Sequence, residues 1–298
     1  MKQIKGSIVA LITPFNEDGS INFDELGRLI DFQIEGKTDA ILVLGTTSES
    51  PTMTHEEDMQ IVNFTVDRVK GRVPIIASSG SNCTASVIKY SKDFQEAGVD
   101  ALLNISPYYN KANFEGHCRH FEAVADAVDI PIILYNIPGR TGIGIPVEAV
   151  ERLSKHKNII GIKEASGNFG YLAKIAKFAD ENFAIYSGND DMIVPLLSMG
   201  GSGVISVLSN IMPYETHKMV MDYLEGNTEE AKKAQIELLP FINNLFIEVN
   251  PIPIKAAMNM AGFNVGGYRL PLYPMEEANR AKLRATMEPL GLIDKYAK

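Results

Sequence analysis

Cysteine is nearly absent from this chain. Cys83 and Cys118 stand far apart and outside any C-x-x-C spacing, which argues against a disulfide scaffold. Long apolar runs are missing too. The apolar stretch within MKQIKGSIVALITPF is cut by Thr13-Pro14, too early for a signal-peptide core or a membrane span. It is expected to be a buried first strand, and the compartment is expected to be cytoplasmic. Blocks of like charge do not occur either. Lys and Arg number 28 against 37 Asp and Glu, a formal charge of -9, which disfavours nucleic acid and acidic membrane surfaces as partners. Small anionic substrates respond instead to local charge in a cleft. With 298 residues, 45% of them hydrophobic and no low-complexity linker, the chain can bury one large core and still carry an appendage.

What is present is an alternation. Short β-rich apolar runs fall at 7–12, 40–44, 74–78, 101–105, 131–135, 159–163, 183–187 and 203–207. Several, such as PIILY and IIGIK, are apolar on both alternations, as suits parallel strands covered on both faces. Helical patterns follow near 23–36, 54–70, 84–97, 113–128, 146–155, 169–180, 190–199 and 213–225. Asn22-x-x-Glu25 and Thr54-x-x-Glu57 have capping-box spacing, and Pro146 fits a first helical turn. Eight such pairs predict an α/β fold, a closed (β/α)8 barrel over 1–225, although an open doubly wound sheet shares the pattern. Residues 226–298 read as a C-terminal helical region with helices near 228–250, 253–261 and 275–290.

Glycine, hydroxyl and charged residues collect immediately after the strands: GTTSES at 45–50, SPYYN at 106–110, YNIPGRTG at 135–142, KEASG at 163–167 and SGNDD at 187–191. A barrel enzyme builds its site at this strand end. Lys163 ends the sixth run, and strand alternation puts it on the face of Ile159 and Gly161, taken as the barrel interior. A lone strand-end lysine often snorkels to solvent. Among apolar neighbours inside a ring, desolvation instead favours the neutral, nucleophilic amine. Tyr135 ends the fifth run and should stand beside Lys163, where a phenol can carry protons. By itself it reads equally as a core side chain with its hydroxyl at the surface. Thr46 and Thr47 offer hydroxyls for a carboxylate, though Gly-Thr-Thr is also ordinary turn chemistry. Arg140, in a Pro-Gly-Arg turn, suits bidentate capture of a second carboxylate; alone it reads as a solvated arginine.

In order and spacing, these motifs resemble the dihydrodipicolinate synthases, within the N-acetylneuraminate lyase superfamily of pyruvate-dependent aldolases. The resemblance runs from GSIVALITPF through NPIPIKAAM (250–258) to YRLPL (268–272). It implies a class I, Schiff-base lyase that condenses pyruvate with L-aspartate 4-semialdehyde, the first committed step toward diaminopimelate and lysine. No cofactor and no metal are implied. Lys163 corresponds to the Schiff-base lysine, Tyr135 to the proton-relaying tyrosine and Thr46 to the threonine bridging two tyrosines. Tyr109 corresponds to the second tyrosine, which reaches a neighbouring subunit's site. Thr47 would hold the pyruvate carboxylate, the Ile205 backbone would line that pocket, and Arg140 would hold the second substrate. The Tyr109 role requires a homo-oligomer, by resemblance a tetramer built as a dimer of dimers.

Departures from the family pattern bear on specificity. Ser48 stands where glycine is usual, Ser78-Ser79 where Gly-Thr is common, and Asn104 precedes the PYY motif at an unusual position. They are expected to be harmless, because Arg140 is retained where sialic-acid lyases usually lack it. Asp58 and Ser86 replace a histidine and a glutamate common in lysine-inhibited members, while His55, Asn82 and Tyr108 are kept, so weak or absent lysine inhibition is expected. A metal-dependent aldolase would need ligands such as His117 and His120. Their i, i+3 spacing is expected instead on a solvated helix face. MGGSG at 199–203 could approach a phosphate but also serves as the turn into the eighth strand. Another Schiff-base aldolase or dehydratase of the superfamily, or a non-catalytic binding relative, are the remaining alternatives.

Overall fold

The computed structural model describes residues 3–297. Eight parallel strands pair in chain order: β1 (Gly6–Ala10), β2 (Ala40–Val43), β3 (Ile75–Ser78), β4 (Ala101–Ile105), β5 (Ile132–Asn136), β6 (Ile159–Glu164), β7 (Ala184–Ser187) and β8 (Gly203–Ser206). β8 pairs back onto β1 through Gly6–Gly203 and Ile8–Ile205, which closes the ring and rules out the open sheet. Closure is tight at that seam. A Cβ on Gly203 would meet the Gly6 carbonyl oxygen at 2.0 Å, so the MGGSG segment serves strand entry.

Each strand presents alternate residues to two different cores. Ile8, Leu42, Ile76, Leu103, Ile133, Tyr186 and Ile205 fill the barrel interior. Val9, Ile41, Val43, Leu102, Leu134 and Ile162 face outward into the helix layer. That layer comprises α1 (Phe23–Glu35), α2 (His55–Val69), α3 (Thr84–Ala97), α4 (Phe114–Asp126), α5 (Pro138–Thr141), α6 (Val147–Leu153), α7 (Phe169–Ile175), α8 (Ile193–Leu197) and α9 (Pro213–Leu224). Three more helices follow the barrel: α10 (Thr228–Asn244), α11 (Ile252–Met260) and α12 (Glu277–Met287). The architecture is a (β/α)8, or TIM, barrel with helices appended. Among the described residues, no helix is long and apolar enough to cross a membrane.

Local signals acted where their side chains were free to act. Thr54 and Glu57 form the reciprocal capping box of α2. At α1, Asn22 caps the Glu25 N–H, but the Glu25 carboxylate takes Arg28 and the Asn264 N–H instead of completing the box. Pro146 sits at the N-cap of α6, one residue before the first helical turn. The alternation expected along β6 is broken. Pairing to β5 slips between Ile132 and Ile133, so Ile132 faces Ile159 while Ile133 faces Gly161. Ile159 therefore packs in the outer layer and Ile160 against the interior, contrary to the simple period-two reading. Beyond the slip the interior face resumes at Gly161, and Tyr135 pairs directly with Lys163.

Candidate active site

A cavity of about 250 Å³ opens where the strands end, lined among others by Thr46, Thr47, Tyr108, Tyr135, Arg140, Lys163 and Asn250. Lys163 comes from the last turn of the pleat in β6 and is only 6% exposed. Its Nζ lies 4.5 Å from the centre of the Tyr135 ring on the neighbouring strand. Room for the lysine is made across β7, where a Cβ on Gly188 would stand 2.6 Å from the Ala165 Cβ and 3.0 Å from the Lys163 Cε. A side chain there would press on the amine's stem.

Burial sets the electrostatics. It pulls the Lys163 ammonium down to about 8, with the Arg140 charge adding to the effect and the buried Asp190 carboxylate opposing it. Asp190 itself is fixed by Ser206 Oγ at 2.6 Å and by the Val207 and Leu208 N–H groups, each at 3.0 Å. Burial also pushes the Tyr135 phenol up to about 12. The pair is thus an amine that loses its proton readily beside a phenol that keeps its own.

Two hydroxyls and a guanidinium face this pair. Thr46 and Thr47 sit in a single 3-10 turn after β2 (Thr46–Ser48). Asn250, from the segment before α11, donates through Nδ2 to Thr47 Oγ1 at 2.9 Å. Arg140 donates through Nη2 to the Asn250 carbonyl at 3.2 Å. One residue from the C-terminal region therefore touches both candidate carboxylate holders. Its own Oδ1 is buried without a partner. Behind Arg140, Asn136 ties the strand ends together: its Nδ2 donates to Glu164 Oε2 at 2.6 Å, and its Oδ1 accepts the Ile145 N–H at 2.9 Å.

Of the residues singled out in the sequence, Lys163, Tyr135, Thr46, Thr47 and Arg140 share the cavity wall. Tyr109 and Ile205 are not part of the lining. Tyr109 is 89% exposed at a left-handed backbone angle (φ 68°), and Ile205 is buried in the barrel interior, two residues before the lining residue Val207. Among the unusual hydroxyls, only Ser78 reaches the cavity. Ser48 donates to the Leu11 carbonyl at 2.5 Å, and Ser79 bonds Ser91 and Asn104 behind the strands. His117 and His120 do not lie on a solvated face. Both are buried, His117 against the Ser106 hydroxyl at 2.8 Å and His120 against that of Thr84 at 2.9 Å. The residue missed in the sequence was Asn250, because nothing local marks which barrel loop a C-terminal segment will meet.

Known proteins share this fold over nearly the whole chain. The dihydrodipicolinate synthetase family profile matches residues 3–290. A 4-hydroxy-tetrahydrodipicolinate synthase of Caldicellulosiruptor saccharolyticus is 54% identical over 292 residues, covering 98% of this chain and 99% of the relative. The dihydrodipicolinate synthase structure from Aquifex aeolicus superposes with a TM-score of 0.94 at 42% identity, over 97% of this chain and 99% of its own. A chloride-inhibited dihydrodipicolinate synthase of Acinetobacter baumannii, solved in complex with pyruvate, gives 0.95 at 37% identity, over 98% and 100%.

Proposed function

The chain belongs to the dihydrodipicolinate synthetase family, and we propose that its Lys163 is the amine that captures pyruvate as a Schiff base. The protein is a class I aldolase-type enzyme that condenses pyruvate with L-aspartate 4-semialdehyde to 4-hydroxy-tetrahydrodipicolinate, in lysine and diaminopimelate biosynthesis. Its partners in the reaction are small molecules.

The observation that carries the role of Lys163 is its pairing with Tyr135 inside the barrel. With the ammonium pulled down to about 8, about one molecule in ten carries a neutral amine at pH 7. That amine attacks the ketone of pyruvate. The Tyr135 phenol then delivers the proton that lets the carbinolamine oxygen leave as water. Loss of a methyl proton to the Tyr135 phenolate gives the enamine, whose carbon adds to the aldehyde as the aldehyde oxygen takes up a proton. The semialdehyde's own amine then displaces the Lys163 amine at the imine carbon, which closes the ring and frees the enzyme. Thr47 holds the pyruvate carboxylate, and Thr46 links Tyr135 to the relay. Arg140 holds the carboxylate of the semialdehyde. The exposed Tyr109 supports a further part of this reading, a homotetramer in which that phenol completes the relay of a neighbouring subunit. The same reading places the enzyme in the cytoplasm.

Lysine inhibition is weak or absent in this proposal. Asp58 stands where inhibited relatives often carry histidine, and burial pushes its carboxyl up to about 7. An inhibition constant in the low micromolar range would refute that part. The central claim is tested by incubating the enzyme with pyruvate, reducing with borohydride and mapping the mass increase. The adduct is expected on Lys163, with turnover once aspartate semialdehyde is added. No adduct at saturating pyruvate would end the proposal.

A further inference from the structure

The turn carrying Thr46 and Thr47 is held in a conformation its own residues disfavour. Leu44 and Glu49, at its two ends, take left-handed backbone angles, φ 60° and 59°, that side-chain-bearing residues rarely adopt. Such strain persists only where surrounding groups over-determine it. At Glu49 those groups come from the C-terminal region. Its Oε1 accepts from Lys255 Nζ at 2.8 Å, and its Oε2 accepts the Arg269 backbone N–H at 3.1 Å. Both charged side chains of the Glu49–Lys255 pair are wholly removed from solvent. Lys255 is the one charged residue of α11, its Nζ 4.3 Å from the Phe15 ring centre and 5.3 Å from that of Tyr268. Neither Glu49 nor Lys255 lines the cavity, so neither meets substrate.

A buried ion pair is poor value as a stabiliser, since well-packed apolar residues of similar volume do as well or better. What it supplies is direction. One carboxylate, fixed by two donors, can occupy only one orientation, whereas an apolar contact tolerates sliding. Resting on the reading that Thr47 holds the pyruvate carboxylate, we propose that Lys255, acting through Glu49, is a positioning residue for that cradle. The pair locks the left-handed turn at Glu49 and thereby sets the Thr46 and Thr47 hydroxyls for the keto acid. In this arrangement α11 completes the pyruvate site without touching pyruvate.

The test uses the full-length enzyme in two forms. The double variant Glu49→Gln/Lys255→Met removes both charges while keeping approximate shape. Glu49→Gln/Lys255→Gln, which also removes both charges but keeps a neutral hydrogen bond between the two side chains, serves if the first variant folds poorly. The expected result is a rise of ~10-fold or more in the KM for pyruvate, and in the pyruvate concentration that half-saturates borohydride trapping. The KM for aspartate semialdehyde should rise by clearly less, because Arg140 stands in its own turn after β5 and its bond to the Asn250 backbone carbonyl does not involve the Thr47 side chain. Wild-type half-saturation by pyruvate in a folded variant would overturn the positioning role, as would equal losses for both substrates. Trapping on Lys163 in the wild-type enzyme is the control. Its failure would defeat the Schiff-base reading, whereas normal wild-type trapping with unaffected variants would defeat only the role of Lys255.

Discussion

Placing an amine beneath the barrel mouth works against the fold that holds it. Lys163 titrates at about 8 in the folded chain and near 10.5 when exposed, so the unfolded chain binds more protons between those values. The resulting penalty is full below about pH 8 and is relieved as pH rises toward 10.5, amounting to about 3 kcal/mol at neutral pH. Lys163→Met should therefore abolish activity yet raise stability at pH 7, with the gain shrinking as the pH approaches 10.5. Denaturant midpoints at pH 7 and pH 10 check this, and a less stable variant at pH 7 would contradict it. Tyr135 tests the other half of the pair. Its phenol, pushed up to about 12, stays protonated across the working range and begins the cycle as a proton donor. Tyr135→Phe keeps the ring against Lys163 and removes only the hydroxyl, so kcat should fall by ~100-fold or more with little change in thermal midpoint. Near-normal turnover would remove Tyr135 from the mechanism.

Between strand and helix, the same desolvation works in the opposite pH range. The histidines of α4 are buried as neutral rings, and burial pulls His120 down to about 4 and His117 in the same direction. Below about pH 6.5 the unfolded chain takes up protons that the folded one refuses, so stability is lost as pH falls toward 4. For His120 the loss by pH 5 is about 2 kcal/mol. His120→Gln, which can still meet the Thr84 hydroxyl, should shrink the drop in thermal midpoint between pH 7 and pH 5. An unchanged drop would show that other groups set the acid limit. These histidines also mark where element-level reading fell short. All eight strands and the helices between them, apart from the single turn of α5, were legible, because apolar alternation and caps such as Thr54 are local properties. Which face of α4 turns inward is not local: it depends on whether hydroxyls such as Ser106 and Thr84 wait opposite. The slip at Ile132/Ile133 was hidden for a similar reason, since a bulge is a relation between two strands. Lys163 and Tyr135 were legible because both lie past the slip, at strand ends where the barrel fixes their height. Lys255 gave a weaker signal, a single charge within IPIKAAM, and the meaning of that charge lay two hundred residues upstream in Glu49.

At the level of the whole molecule, one side chain does not fit a solitary barrel. Tyr109 projects into solvent from a strained backbone position, next to Tyr108, which lines the cavity. A left-handed tyrosine that touches little of its own chain has a use if it reaches a second copy, and an isologous dimer would exchange two such residues at once. Subunit mixing separates this from a role within one chain. Lys163→Ala removes the nucleophile and Tyr109→Phe the exchanged phenol, so each homo-oligomer alone should be nearly inactive. In a mixed dimer, the Tyr109→Phe subunit keeps its Lys163 and receives an intact Tyr109 from the other chain. Random reassortment makes half the dimers mixed, each with one complete site, so activity should return to about a quarter of wild type. If Tyr109 served its own barrel, no combination of the two chains could complete a site, and the mixture would stay as inactive as its parts. Reassortment is verified separately by native mass spectrometry of chains that differ in isotope label, so that silence in the assay cannot be mistaken for failure to mix.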